Sequence, residues 1–187
     1  ARQAALRALE LDEALPEAHF SLALVKWWAD WDWPAAEAGF KRAIELNPNN
    51  ATWRAVYADF LSTHERFTEA VAQAKRAQEL DPLSVYVSGA LAKVYYTARQ
   101  YDRALEGYRQ MLELDPDSTR AQRGVGRVLL QQGRYDEAIA ALRHAVARKS
   151  DPDFISDLAH AYAVAGRRDE AKRMLAQLQD IARRSYV

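Results

Sequence analysis

The sequence predicts an all-α solenoid of stacked helix pairs, and three observations carry that prediction. Glu-Leu-Asn/Asp-Pro is written three times, at Glu45–Pro48, Glu79–Pro82 and Glu113–Pro116, which sets the prolines 34 residues apart. Small residues recur in phase with those prolines, as Ala36, Ala70, Ala104, Ala138 and Ala171. Each copy is also broken in its middle by a short stretch, and two of these stretches hold glycine. A helix pair of this length cannot bury its apolar face alone, so neighbouring copies must stack.

Composition excludes several function classes. The 187 residues carry 26 Lys and Arg against 26 Asp and Glu, so no global field draws the chain to nucleic acid or anionic lipid. No apolar run approaches the roughly 18 residues of a membrane span, and no secretory signal is visible. With no cysteine there is neither a disulfide framework nor a thiolate metal site. The expectation is a soluble chain without cofactor, cytoplasmic by default, with the periplasm left open.

Registered on the prolines, residues 1–15 read as half a repeat. Residues 16–50, 51–84, 85–118 and 119–151 read as full repeats, and 152–187 as a last repeat with no capping helix. The breaks fall at His64-Glu65-Arg66, Arg99-Gln100, Gln132-Gly133-Arg134 and Ala165-Gly166-Arg167. Gly133 and Gly166 suit the left-handed conformation that ends a helix. The proline after each second helix stops it and fixes where the next begins.

In the first helices Leu22/Ala23, Tyr57/Ala58, Leu91/Ala92, Val125/Gly126 and Leu158/Ala159 form large-then-small pairs that seat a ridge in a groove. Trp33, Phe67, Tyr101 and Tyr135 follow the breaks as plugs for the joint between paired helices. Three irregularities stand out. The first full repeat has one extra residue around Asp30–Trp33, the fourth is one residue short with Ser150 in place of proline, and Glu13 replaces the leading proline.

This recurrent pattern of large residue, Leu-Gly/Ala, Tyr, Ala, aromatic, Ala and Pro resembles the tetratricopeptide repeat (TPR) family over almost the whole length. The resemblance implies a right-handed superhelical solenoid of about eleven helices that binds a protein or peptide in its concave groove. The wording DWDWPAAEAGFKRAIELNPN, AQELDPLS and AYAVAGRRDEAKRMLAQL is similar to repeat arrays attached to bacterial signalling proteins, among them winged-helix transcriptional regulators and protein kinases.

Family geometry places first-helix residues on the concave face. It offers Thr52, Ala55, Asp59 and Ser62 in one repeat, and Tyr86, Gly89, Lys93 and Tyr96 in the next. Arg120, Arg123, Arg127 and Leu130 follow in the fourth full repeat. Arg120, Arg123 and Arg127 are spaced i, i+3, i+7 and so share a helical face. Guanidiniums flanked by tyrosines suit an acidic or C-terminal carboxylate peptide. The competing expectation is a solvated face neutralised by Asp59, Asp153 and Asp157. The Lys/Asn clamp of the chaperone-binding members is missing, since Phe20, Leu24 and Val56 stand in its places.

Trp27, Trp28, Trp31 and Trp33 lie within seven residues. Trp33 reads as a joint plug and Trp28 or Trp31 as cover for the lengthened joint. Trp27 projects toward the groove by the same counting, although burial in the core competes with partner contact. The four histidines are scattered, so no metal site is expected. Asp30/Asp32 and Asp151/Asp153 lack a calcium loop's glycine and glutamate and read as helix caps. Gly124 and Gly126 lack the Lys-Ser/Thr of a phosphate loop, and no catalytic constellation is visible.

The peptide-binding residues expected are therefore Trp27, Tyr86, Lys93, Tyr96, Arg120, Arg123 and Arg127. The chain begins on Ala4, Ala5 and Leu6 of an incomplete pair and ends on Met174, Leu175, Leu178 and Ile181 followed only by Ser185, Tyr186 and Val187. That predicts a fragment whose uncapped ends could support homo-oligomers. Self-association, or service as the substrate-recruiting arm of an attached enzyme, is the alternative to a binding scaffold.

Overall fold

A computed structural model describes residues 1–185; Tyr186 and Val187 lie outside the described residues. Eleven α-helices and no strand occur among the described residues. The chain divides into two compact units, Ala1–Ala98 and Arg99 onward.

The first unit holds α1 (Arg2–Leu11), α2 (Pro16–Val25), α3 (Trp33–Leu46), α4 (Ala51–Thr63), α5 (Phe67–Leu80) and α6 (Val85–Thr97). Helices α2 and α3 pair, as do α4 and α5, while α1 lies on α2 and α6 lies on both α4 and α5. The second unit holds α7 (Tyr101–Leu114), α8 (Thr119–Gln131), α9 (Tyr135–Arg148), α10 (Pro152–Val164) and α11 (Arg168–Ser185). There α8 pairs with α9 and α10 with α11, with α7 on α8 and α9 on α10.

Each proline turn does two tasks. The N–H of Asn50 donates to Asn47 O, that of Ser84 to Asp81 O and that of Ser118 to Asp115 O, closing a four-residue turn with Pro48, Pro82 or Pro116 at its second position. The residue that closes the turn then starts the next helix. Asn50 Oδ1 accepts from Trp53 N at 3.1 Å, and Ser84 Oγ accepts from Val87 N at 3.3 Å. Asp12–Leu15 makes the same closure with Glu13 in the proline's place. Where Ser150 replaces proline, Asp151 caps α10 by accepting from Asp153 N at 3.1 Å.

The joints inside the pairs turn through the left-handed region. Glu65 (φ 59), Arg99 (φ 58), Gly133 (φ 74) and Gly166 (φ 75) all adopt it, so the conformation expected of two glycines is shared by two charged residues. At α4, α8 and α10 the chain closes with paired hydrogen bonds, for example Arg66 N to Leu61 O and Glu65 N to Ser62 O.

The fifth joint is Trp31 (φ 55). The extra residue of the first full repeat is absorbed just before it, where α2 runs on into a five-residue π-helical segment, Lys26–Asp30. Widening a helix by one residue is what a π-bulge does. Of the paired aspartates here, Asp32 caps α3 by accepting from Ala35 N at 3.2 Å. Asp30 departs from the expected cap and pairs with Arg2 and Lys26.

The cores rest on close helix approach. Ala36, Ala70, Ala104 and Ala138 are 0% exposed, and so are Ala43, Ala77 and Ala145 seven residues on. In the first unit Phe40, Phe60 and Leu61 cluster with Ala36 and Ala70, and in the second Ile139, Leu142 and Leu158 form a buried cluster of their own. Each large side chain buried in this way contributes about 1.5–3 kcal/mol. A Cβ built on Gly124 would stand 2.5 Å from the Tyr108 ring, and one on Gly126 would stand 2.5 Å from Leu142 Cγ. Both glycines therefore serve contact between helices.

One polar cluster braces the first unit. Glu37 on α3 accepts from Tyr57 Oη at 3.1 Å and pairs with Lys41 and Arg66, each at 2.7 Å. Burial alone would raise the Glu37 pKa, but hydrogen bonds from Arg66, Lys41 and Tyr57 outweigh it and hold the carboxyl at about 2. Burial, then the Glu37 charge, pushes the Tyr57 hydroxyl above its ordinary value.

Two outcomes follow for stability. Gly126→Ala gains about 1 kcal/mol of helix propensity, yet the clash with Leu142 makes it destabilising by about 1–3 kcal/mol; Glu65→Gly and Arg99→Gly each stabilise by about 0.5–1 kcal/mol. Urea unfolding of the three variants checks both directions. Because the Glu37 pKa is depressed from 4.5 to about 2, its contribution is present above pH 4.5 and is lost as pH falls toward 2. The unfolding midpoint of the parent chain should drop more steeply through that window than that of Glu37→Gln.

Candidate functional site

In the first unit the first helices α4 and α6 lie side by side, and their residues one period apart meet. Lys93 Nζ stands 2.6 Å from Asp59 Oδ2, a pair separated by 34 residues. The other Asp59 oxygen is buried with no hydrogen-bond partner among the described residues. Tyr86 is 41% exposed on α6 and Tyr96 is half-buried.

Several positions expected to face a ligand do not. Ala55 and Ser62 are each 1% exposed and Gly89 is buried. Ala55 is enclosed with Ala51, Ala77 and Val87. Small residues on this face are spent on seating one first helix against the next, which leaves only the longer side chains to reach solvent.

In the second unit α8 buries Ala121, Gly124, Val125 and Val128 and turns Arg120, Arg123 and Arg127 outward. Arg120 is exposed, and the other two are half-buried. Arg123 Nε donates to Asp157 Oδ2, again 34 residues away, and its NH1 lies 3.6 Å from Asp153. Its Cζ sits 5.2 Å from the centre of the Phe154 ring. Asp153 and Asp157 thus neutralise part of the arginine face, as the competing expectation had it, whereas Asp59 serves Lys93 instead.

The tryptophans separate by burial. The sequence directs Trp27 toward the groove, but it is 9% exposed and edge-on to Phe40 and Phe60 at 6.1 and 5.5 Å. Trp28, Trp31 and Trp33 are 63%, 72% and 46% exposed. Trp33 meets His64 edge-on at 4.9 Å. The four indoles line one cavity of about 650 Å³ with Thr63, His64 and Glu65. The number of tryptophans is visible in the sequence, but their convergence on one cavity depends on the π-helical turn, which is not.

Models of the tetratricopeptide repeat match residues 28–85, 90–153 and 129–187. A comparison with curated proteins gives no match. Among solved structures, TTC0263, a thermophilic TPR protein of Thermus thermophilus, is similar with a TM-score of 0.80 and 23% identity over 89% of this chain and 91% of that one. YrrB, a TPR protein with an unusual peptide-binding site, gives 0.59 and 22% over 97% and 93%. The human IFIT1 dimer with m7Gppp-AAAA gives 0.81 and 22% over 95% of this chain and 45% of that one. At these identities the likeness concerns the fold.

The Arg123–Asp157 contact should be measurable. A double-mutant cycle with Arg123→Ala and Asp157→Ala in thermal or urea unfolding should return a coupling of about 0.5–1 kcal/mol that weakens in high salt. A coupling of zero at low salt would show that the pair is not formed in solution.

Proposed function

This chain belongs to the tetratricopeptide repeat family, and we propose that it is a non-catalytic scaffold that holds a protein or peptide on its first-helix faces. The single observation that carries this reading is the outward stripe Arg120, Arg123 and Arg127 on a helix whose opposite face is buried. Within this stripe the Arg123 guanidinium meets the carboxylates of Asp157 and Asp153 on α10. Arg123, held by Asp157 and Phe154, is a positioned fork. Arg120 and Arg127 flank it on the same side.

Such a face suits an acidic segment or a terminal carboxylate, which guanidinium forks bind bidentately. In the first unit, taken by itself, Tyr86 and Tyr96 on α6 offer aromatic contact beside Lys93, whose charge is met by Asp59. Trp27 is set aside because it is buried. A solved relative in fold, YrrB, is described as having a peptide-binding site, which agrees with this use of the architecture. The wider role, a recognition arm of a larger bacterial signalling protein in the cytoplasm, rests on sequence resemblance.

The test uses a library of peptides with free C-termini, followed by fluorescence polarisation of the best binder as acid and as C-terminal amide. The acid should bind more tightly, and Arg120→Glu with Arg127→Glu should weaken it about tenfold, equivalent to about 1.4 kcal/mol. Equal affinity for acid and amide, together with an unaffected double variant, would remove the arginine face from the function.

A further inference from the structure

The tryptophan cavity in the first unit is a separate matter from the arginine face. We propose that it binds a quaternary ammonium group.

Three features make the cavity favour a cation. Trp28, Trp31 and Trp33 present exposed indoles around it, and the ring face of tryptophan is the strongest of the aromatic cation acceptors. Two helices end on it with their negative poles: the α2–π segment through Trp27, Trp28 and Trp31, and α4 through Thr63, His64 and Glu65. Glu65 adds a carboxylate that has no ion pair among the described residues. The opposing pole, the N-terminus of α3, is capped by Asp32.

The scarcity of acceptors selects which cation. Indole N–H groups only donate. Thr63 Oγ1 donates to Phe60 O at 2.8 Å, and His64 Nδ1 lies at the same distance from that carbonyl. The side-chain acceptors that remain are chiefly the Glu65 carboxylate and one imidazole nitrogen, while the last carbonyls of the two helices attract any cation alike. A primary ammonium or guanidinium would bring three to five N–H groups, each of which needs its own aligned acceptor and costs desolvation where one is missing. A quaternary ammonium brings none. Its methyl groups rest on indole faces, and its charge is met by Glu65 and the helix ends.

The backbone sets this place apart by its helix and not by its turns, since the left-handed conformation of Trp31 and Glu65 recurs at every joint. The π-helical segment that carries Trp27 and Trp28 lies here. Such π-bulges are frequent at functional sites.

The test titrates the whole chain with tetramethylammonium, with choline, with the neutral choline isostere 3,3-dimethylbutan-1-ol and with a peptide carrying Nε-trimethyllysine, read by tryptophan fluorescence and calorimetry. The expected result is saturable binding of the cations about tenfold tighter than the neutral isostere, weakened about fivefold or more by Trp28→Ala and by Glu65→Gln. Trp31→Gly should raise the urea midpoint by relieving strain while weakening binding, which separates a binding role from a structural one. If the peptide binds more tightly than choline, the group belongs to a partner chain; if choline binds as tightly or better, it belongs to a small molecule. Equal affinity for cation and isostere, or no saturation by any of the cations at about 100 mM, would overturn the proposal.

Discussion

Everything in this chain depends on how closely two helices of a pair can approach. Ala36, Ala70, Ala104 and Ala138 lose all solvent contact because nothing larger than a methyl group separates one helix from the next. Gly124 and Gly126 carry the same requirement to its limit, where even a methyl group would meet Tyr108 or Leu142. With the distance between helices set by small residues, the large ones beside them, such as Phe40, Phe60 and Leu142, can close the remaining volume. The faces that remain outside this contact are then open to vary, and the charged and aromatic side chains lie there.

The joints show how a fixed period tolerates irregular sequence. Glycine, glutamate, arginine and tryptophan all hold the left-handed turn position, although only glycine does so without strain. An inserted residue is taken up by a π-helical segment and not by a longer loop. The outcome reaches beyond one turn, since Trp27 and Trp28 lie in that segment and line one cavity with Trp31 and Trp33. A local backbone irregularity has thereby made a surface unlike that of the other joints.

Much of this was legible in the sequence, for physical reasons that differ by position. The prolines announced the turns because a proline cannot continue a helix, and the phased alanines announced the helix contacts because close approach admits few side chains. Gly133 and Gly166 revealed the left-handed turn at their joints; the joints at His64–Arg66 and Arg99–Gln100 were legible from their phase with the other copies, but the left-handed turn at Glu65, Arg99 and Trp31 was not, because a residue strained into that conformation leaves no compositional mark. The arginine stripe on α8 was visible from spacing, whereas its neutralisation by Asp157 needed a contact one period away. The burial of Trp27 could not be counted out because the matching place differs from copy to copy: Ser62 is buried, whereas Tyr96 and Leu130 are half-buried.

Amide hydrogen exchange followed residue by residue over the whole chain tests the central claim most directly, because it reports the free energy of opening at each place. If close approach of the second helices holds the structure, amides around Ala36–Phe40, Ala70–Ala77, Ala104–Met111 and Ala138–Ala145 should exchange slowest. The joints at Trp31, Glu65, Arg99, Gly133 and Gly166 should exchange fastest. Protection that is equal at joints and contacts, or weaker along the alanine-lined helices than at the turns, would contradict the account.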